Sequence, residues 1–287
     1  MLFLSYLVMS NTVLLRNALL GAGLLFGFAL SLDSLFDSSV WTGMIVSQSA
    51  ITVEYCEFNH PERLFHQPIN TYSNLIYFFY GLLVFQLALK DFNFFGVEGA
   101  NSVRNFPYLS VLLAANFIYL SFGSAFFHAS LTWIGQRVDM NATYGLTLSL
   151  ICIGMVQVFV KKELSKPMQI GLVLGMLLLI AAFLPLALQI PSAILLPSLF
   201  FVLLLLGIGN FVQYSSQRSP LLLILSFVLL AFAIQVRTLD VAKVNCDPLS
   251  IWQGHALWHF LTATSSLCMY FYFRRIKNLV ELKKQKA

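Results

Sequence analysis

Charge is what this sequence has least of. Of its 287 residues only 10% are Asp, Glu, Lys or Arg, against 59% hydrophobic, and the mean hydropathy is +0.80. Composition of that kind excludes a soluble globular domain and puts the chain in lipid. Alternation is absent as well: runs such as Leu221-Leu222-Leu223-Ile224-Leu225 have no period of two, which excludes a transmembrane β-barrel. No internal repeat and no low-complexity linker divides the chain.

What is present is a series of apolar stretches close to the ~20 residues that cross a bilayer, with short polar breaks between them. They predict an all-α integral membrane bundle with seven spans near 70–89, 107–129, 138–160, 168–190, 192–213, 220–239 and 253–273. A further apolar stretch, 18–32, follows Arg16 and precedes Asp33 and Asp37. It reads equally as a signal peptide or as an uncleaved extra helix, because no small-x-small cleavage site follows Leu30. The chain thus divides into an N-terminal hydrophobic segment and linker (1–53), a seven-span domain (54–273) and a basic tail (274–287).

Basic residues set the orientation. One set of loops holds Arg63, Arg137, Arg237 and Lys243. The other holds Lys90, Arg104, Lys161, Lys162, Lys166, Arg218 and the tail residues Arg274, Arg275, Lys277, Lys283, Lys284 and Lys286. The second side is expected to be cytoplasmic, in a bacterial inner membrane or a eukaryotic ER or Golgi membrane, and Arg16 agrees if its helix runs outward. The tail reads as a topology signal that also meets anionic headgroups, not as a nucleic-acid site.

Ionisable residues inside a membrane are costly and mark function. His128 ends the second span, Asp139 opens the third, and His255 and His259 open the seventh, so all four are expected at the noncytoplasmic interface. His255 and His259 are four apart and share a helical face, where two imidazoles can bind one metal. Alone, such a pair is weak evidence and leaves open a reading as interfacial histidines wetted by headgroups. His128 adds a third nitrogen, and Ser124, four residues earlier, puts a hydroxyl on its face. Three histidines with an open fourth position are the arrangement of a catalytic zinc. Asp139 reaches the same end as a candidate proton carrier, and Ser124 is a candidate donor to an oxyanion.

A second polar cluster, Glu54-Tyr55-Cys56-Glu57-Phe58-Asn59, precedes the first span, and Gln67 to Asn74 follows it. Its carboxylate and amide oxygens suit a hard cation such as calcium, or equally an ordinary loop with Asn70 and Thr71 capping a helix. The four cysteines sort by topology. Cys56 and Cys246 fall in noncytoplasmic loops and suggest a disulfide, whereas Cys152 and Cys268 fall within spans as unpaired thiols.

Together, Cys56-Glu57-x-Asn59, Asn70-Thr71-x-Ser73-Asn74, Ser124-x-x-x-His128, Asp139 and His255-x-x-Trp258-His259 resemble the alkaline ceramidases, within a wider superfamily that includes the progestin and adipoQ receptors. The resemblance implies a seven-helix bundle, zinc on His128, His255 and His259, and hydrolysis of ceramide to a sphingoid base and a fatty acid. It also implies a calcium site on Glu54, the Tyr55 carbonyl, Glu57, Asn59 and Gln67, and it pairs Cys56 with Cys246. Two positions depart from the family pattern: Glu54 stands where Asp is usual, and neutral Gln67 where an acid is usual, with Glu62 nearby as a replacement carboxylate. A lipid-binding receptor on the same zinc framework, or a related lipid acyl-hydrolase, is the alternative. A transporter or channel is disfavoured because the fourth to sixth spans are nearly bare of polar residues.

Overall fold

The computed structural model describes residues 11–92, 101–160, 164–186 and 190–276. Lys161, Lys162, Lys277, Lys283, Lys284 and Lys286 lie outside them. The described chain is all-α: α1 (Asn11–Leu35), α2 (Gln48–Ile51), α3 (Pro68–Ser73), α4 (Leu75–Asp91), α5 (Pro107–Ser130), α6 (Trp133–Phe159), α7 (Lys166–Leu186), α8 (Ser192–Gln213), α9 (Leu221–Val241) and α10 (Gly254–Arg274). By length and composition, α1, the pair α3–α4 and each helix from α5 to α9 can cross a membrane, seven spans among the described residues. Helix α10 has the length, but its first half carries His255, His259, Thr262 and Thr264, which lower its apolarity.

The third predicted span starts too late. Helix α6 begins at Trp133, where the Thr132 side chain accepts from the Gly135 N–H as an N-cap, so Asp139 sits well inside the helix and not at its opening. Arg137 and Asp139 depress hydropathy locally and hide that first turn. Helix capping by Asn70 and Thr71 is also corrected. Both lie inside α3, whose first free N–H groups, on Ile69 and Asn70, donate instead to the Glu57 carboxylate at 2.7 and 2.8 Å.

Helix α6 is the most enclosed, packed through Tyr144 and Ile153 among Leu113, Phe117, Met269 and Tyr270. Helices α7, α8 and α9 instead turn residues such as Leu178, Phe201 and Ile224 outward, a surface suited to lipid and not to water. Where α4 meets α5, a Cβ on Gly81 would stand 2.7 Å from Ile118 and 3.2 Å from the Ala114 carbonyl, so a small residue sets that approach. Helix α1 lies along α4 with Leu14 and Ala18 buried, and Gln86 donates to the Leu14 carbonyl at 3.2 Å. At its other end Asp33 accepts from the Phe65 N–H at 3.1 Å and the Tyr72 hydroxyl at 3.3 Å, and pairs with Arg63.

At one end of the bundle Arg218, 1% exposed, ties four segments together. Its guanidinium donates to Asn210 Oδ1 at 3.1 Å, to the Tyr272 and Arg275 carbonyls at 2.8 Å and to Gln157 Oε1 at 3.2 Å, and it contacts Asn101. Nearby, Asp91 bridges Arg104 and Arg274. Replacing Arg218 by Met would leave these oxygens unpaired, each at about 1–3 kcal/mol. Thermal unfolding of Arg218→Met is therefore expected several degrees below wild type, while metal content is unchanged because the centre lies at the other end.

Candidate metal centre

At the opposite end the chain between α1 and α3 folds across the tip of α5. The N–H groups of Ser47, His66 and Gln67 donate to the carbonyls of Leu131, Ala129 and His128 at 2.9, 3.0 and 3.0 Å, satisfying groups that a helix C-terminus leaves free. Helix α5 ends where Leu131 turns left-handed (φ 50°), just after His128. Helix α10 opens beside it with His255 and His259. All three imidazoles are at most 4% exposed, and one ligand nitrogen from each lies within 4.8 Å of the others.

The other face of each ring explains why these nitrogens can be ligands. Gln67 Oε1 can only accept, so at 2.8 Å it accepts a hydrogen bond from His128 Nδ1–H, which keeps the proton on Nδ1 and leaves His128 Nε2 as a bare lone pair. Ser73 donates its single proton to the Asn70 carbonyl at 2.8 Å, so its oxygen accepts from His259 Nδ1 at 2.7 Å and fixes the same tautomer. Asn70 Nδ2 in turn braces Gln67 Oε1 at 3.3 Å. His128 Nε2 and His255 Nε2 stand 3.1 Å apart. Nitrogens held by a tetrahedral zinc at about 2.0–2.1 Å would stand about 3.3 Å apart. The donor set fits: uncharged, buried nitrogens aimed at one another are stable when a cation lies among them, and His255 Nδ1 has no hydrogen-bond partner of its own. These three residues can hold a metal ion such as zinc.

His255 is placed by its neighbours. Its ring lies on Tyr55 with centroids 3.9 Å apart, and its backbone N–H donates to Asp240 Oδ1 at 3.2 Å. A Cβ on Gly254 would come within 2.9 Å of that carboxylate, so glycine is what admits Asp240 as the cap of α10. Asp240 Oδ2 also accepts from the Cys56 N–H at 3.1 Å, and Cys56 forms the disulfide with Cys246, Cα atoms 5.7 Å apart. Cys152 and Cys268 are buried free thiols, as the sequence implied.

A cavity of about 380 Å³ opens on His255 and His259, with Ser124, Asp139, Arg237 and Trp258 in its wall and Leu196, Pro197 and Phe200 opposite. A narrower space of about 50 Å³, lined by Leu203, Leu230 and Met269, shares Tyr77, Leu120, Thr143, Phe200 and Trp258 with it and extends between the helices. Ser124 is buried, and it and Asp139 face the same cavity. The structure therefore brings together His128, His255, His259, Ser124 and Asp139, although the first two lie 127 residues apart in the chain.

The five residues expected at calcium are engaged elsewhere. Glu54 pairs with Arg237, Glu57 caps α3, and Asn59 Oδ1 accepts from Gln67 Nε2 at 2.7 Å. The Tyr55 carbonyl contacts the Lys243 ammonium. Glu62 is exposed and meets His60 at 3.3 Å. Burial pushes the Glu57 carboxyl up to about 7 against the pull of its two backbone donors. Gln67 belongs instead to the histidine centre. Sequence reading gave Ser73 and Asp240 no role. The lone acid near the end of an apolar span was the signal for Asp240, whereas Ser73 carried none beyond its place in the polar run.

A multi-pass helical membrane protein with a buried three-histidine centre beside an apolar cavity is the class that this fold and site define. Within that class, the family model described as Ceramidase matches residues 47–287, and the chain belongs to the ceramidase family. No curated protein matches it. Helix α1 precedes the matched region.

His259→Ala is expected to lose the metal while the helical bundle persists, measured as metal per chain and circular dichroism. Ser73→Ala keeps all three ligands but frees the His259 tautomer, and should weaken metal affinity by about 10–100-fold, the usual scale for such outer partners. Wild-type affinity in Ser73→Ala would contradict the tautomer assignment.

Proposed function

We propose that the protein is a zinc-dependent amidohydrolase that cleaves the amide of ceramide to a sphingoid base and a fatty acid. The supporting observation is one cavity, in a chain of the ceramidase family, walled by two of the three buried histidines and by Ser124 and Asp139. Zinc, when bound, supplies a Lewis acid for the amide carbonyl and makes water more acidic. The chain's own residues supply the rest. Asp139 takes a proton as water oxygen adds to the carbonyl carbon, and delivers it to the leaving nitrogen as the C–N bond breaks. The Ser124 hydroxyl, on the same cavity wall, serves the developing oxyanion as a donor. The apolar wall formed by Leu196, Pro197 and Phe200, with its narrow extension, suits an aliphatic chain that enters sideways from the bilayer.

The charge distribution supports a noncytoplasmic site. Arg104, Arg218, Arg274 and Arg275 cluster at the end away from the histidines, which is the arrangement of a cytoplasmic face. The Cys56–Cys246 disulfide lies at the histidine end, where oxidation is permitted.

Asp139→Asn keeps size and polarity but cannot accept the water proton. Turnover of ceramide should fall by ~10² or more, with metal content and ceramide binding retained. Near wild-type hydrolysis by Asp139→Asn would remove Asp139 as the base, and a wild type that binds ceramide but releases no fatty acid would make the protein a lipid-binding receptor.

A further inference from the structure

The loop from Glu54 to Asn59 carries two carboxylates, an amide oxygen and two outward carbonyls, yet each of those groups already has a protein donor. The donors are informative. Lys243 brings its ammonium to the Glu54 carbonyl at 3.1 Å and into contact with the Tyr55 carbonyl. Arg237, two turns earlier at the end of α9, reaches Glu54 Oε1 at 3.0 Å. Both cations come from the segment that also holds this loop through Asp240 and Cys246.

Lys243 occupies an unusual position for its side chain. Its backbone is left-handed (φ 58°), with its N–H on the Asp240 carbonyl at 3.0 Å and the next N–H on the Leu239 carbonyl at 3.0 Å, a helix-ending turn that favours glycine or asparagine. A lysine held there at some backbone cost directs a compact charge with three donors onto two carbonyls. The neutral Gln67 belongs to the same arrangement. Its Nε2 donates to Asn59 Oδ1 at 2.7 Å while its Oε1 accepts from His128 Nδ1 at 2.8 Å. An ionised acid in its place could make the second bond but not the first, and Asn59 would then need a cation.

We propose that this chain holds its 54–59 loop with its own cation: the Lys243 ammonium sits at the Glu54 and Tyr55 carbonyls where a calcium ion would otherwise bind, and the protein neither binds nor needs calcium. A calcium ion requires six to eight oxygens, and here it would have to displace an ammonium and break the Glu54 ion pair, the Glu57 cap and the Asn59–Gln67 bond together. The consequence reaches the metal centre, because the loop so fixed keeps the Tyr55 ring against His255. The histidine site thereby depends on no second ion.

The test needs no turnover and is independent of the hydrolase reading. Radiocalcium binding to the purified full-length chain in a neutral detergent, together with its thermal midpoint in millimolar calcium, reads the wild type directly. The expected result is no saturable binding and no shift in midpoint. Lys243→Met, which keeps length and removes charge, should unfold several degrees below wild type. Saturable binding of one calcium per wild-type chain at micromolar concentration would overturn the proposal, as would a wild-type midpoint in Lys243→Met.

Discussion

Two hydrogen bonds on the far side of the imidazoles, Gln67 to His128 and Ser73 to His259, are the constraint around which the rest of the histidine end is arranged. A buried imidazole has two nitrogens, and only the one without a proton can bind metal. Fixing the proton on Nδ1 from outside turns Nε2 of each ring inward. Each fixing residue is itself fixed: Ser73 by donating to Asn70, Gln67 by Asn59 and Asn70, and the start of α3 by Glu57. The polar loop that precedes the bundle is therefore the outer support of the histidine cluster.

The same end is fastened a second time through α9. Asp240 caps α10 at His255 and accepts from Cys56, Cys246 joins Cys56 covalently, and Lys243 and Arg237 hold Glu54 and Tyr55. These contacts link the two histidines of α10 to the loop that also serves His128. The remaining helices have a different task. Helices α7 to α9 turn large apolar side chains outward, a surface suited to lipid, and α6 fills the middle.

Much of this was legible in the sequence because the physical signals were strong. Long apolar runs locate helices in a bilayer almost without context: a helix lies at each of the seven expected core spans, though the third begins at Trp133 and the seventh, α10, is too polar to count as a span by composition. The N-terminal stretch that read equally as a signal peptide is a long apolar helix. Three histidines at span ends were visible for the same reason, since imidazoles are rare in such company. What sequence hid depends on pairing across the chain. Gln67 stood as a calcium ligand only through the family resemblance, whereas in the structure its Oε1 accepts from His128 Nδ1, 61 residues away. The first turn of α6 was missed because Arg137 and Asp139 make it polar, although the Thr132 cap was there to be read. Lys243 counted only as a loop charge, and its role follows from a left-handed turn that no local pattern announces.

The central claim is that three neutral histidines assemble a metal centre that hydrolyses a membrane lipid amide. It is tested most directly by measuring sphingoid base and fatty acid released from ceramide by the purified protein before metal removal, after removal, and after return of zinc. The account predicts equal amounts of both products, loss of release with the metal, and recovery when zinc is restored. Continued release from metal-free protein, or none from protein loaded with zinc, would contradict it.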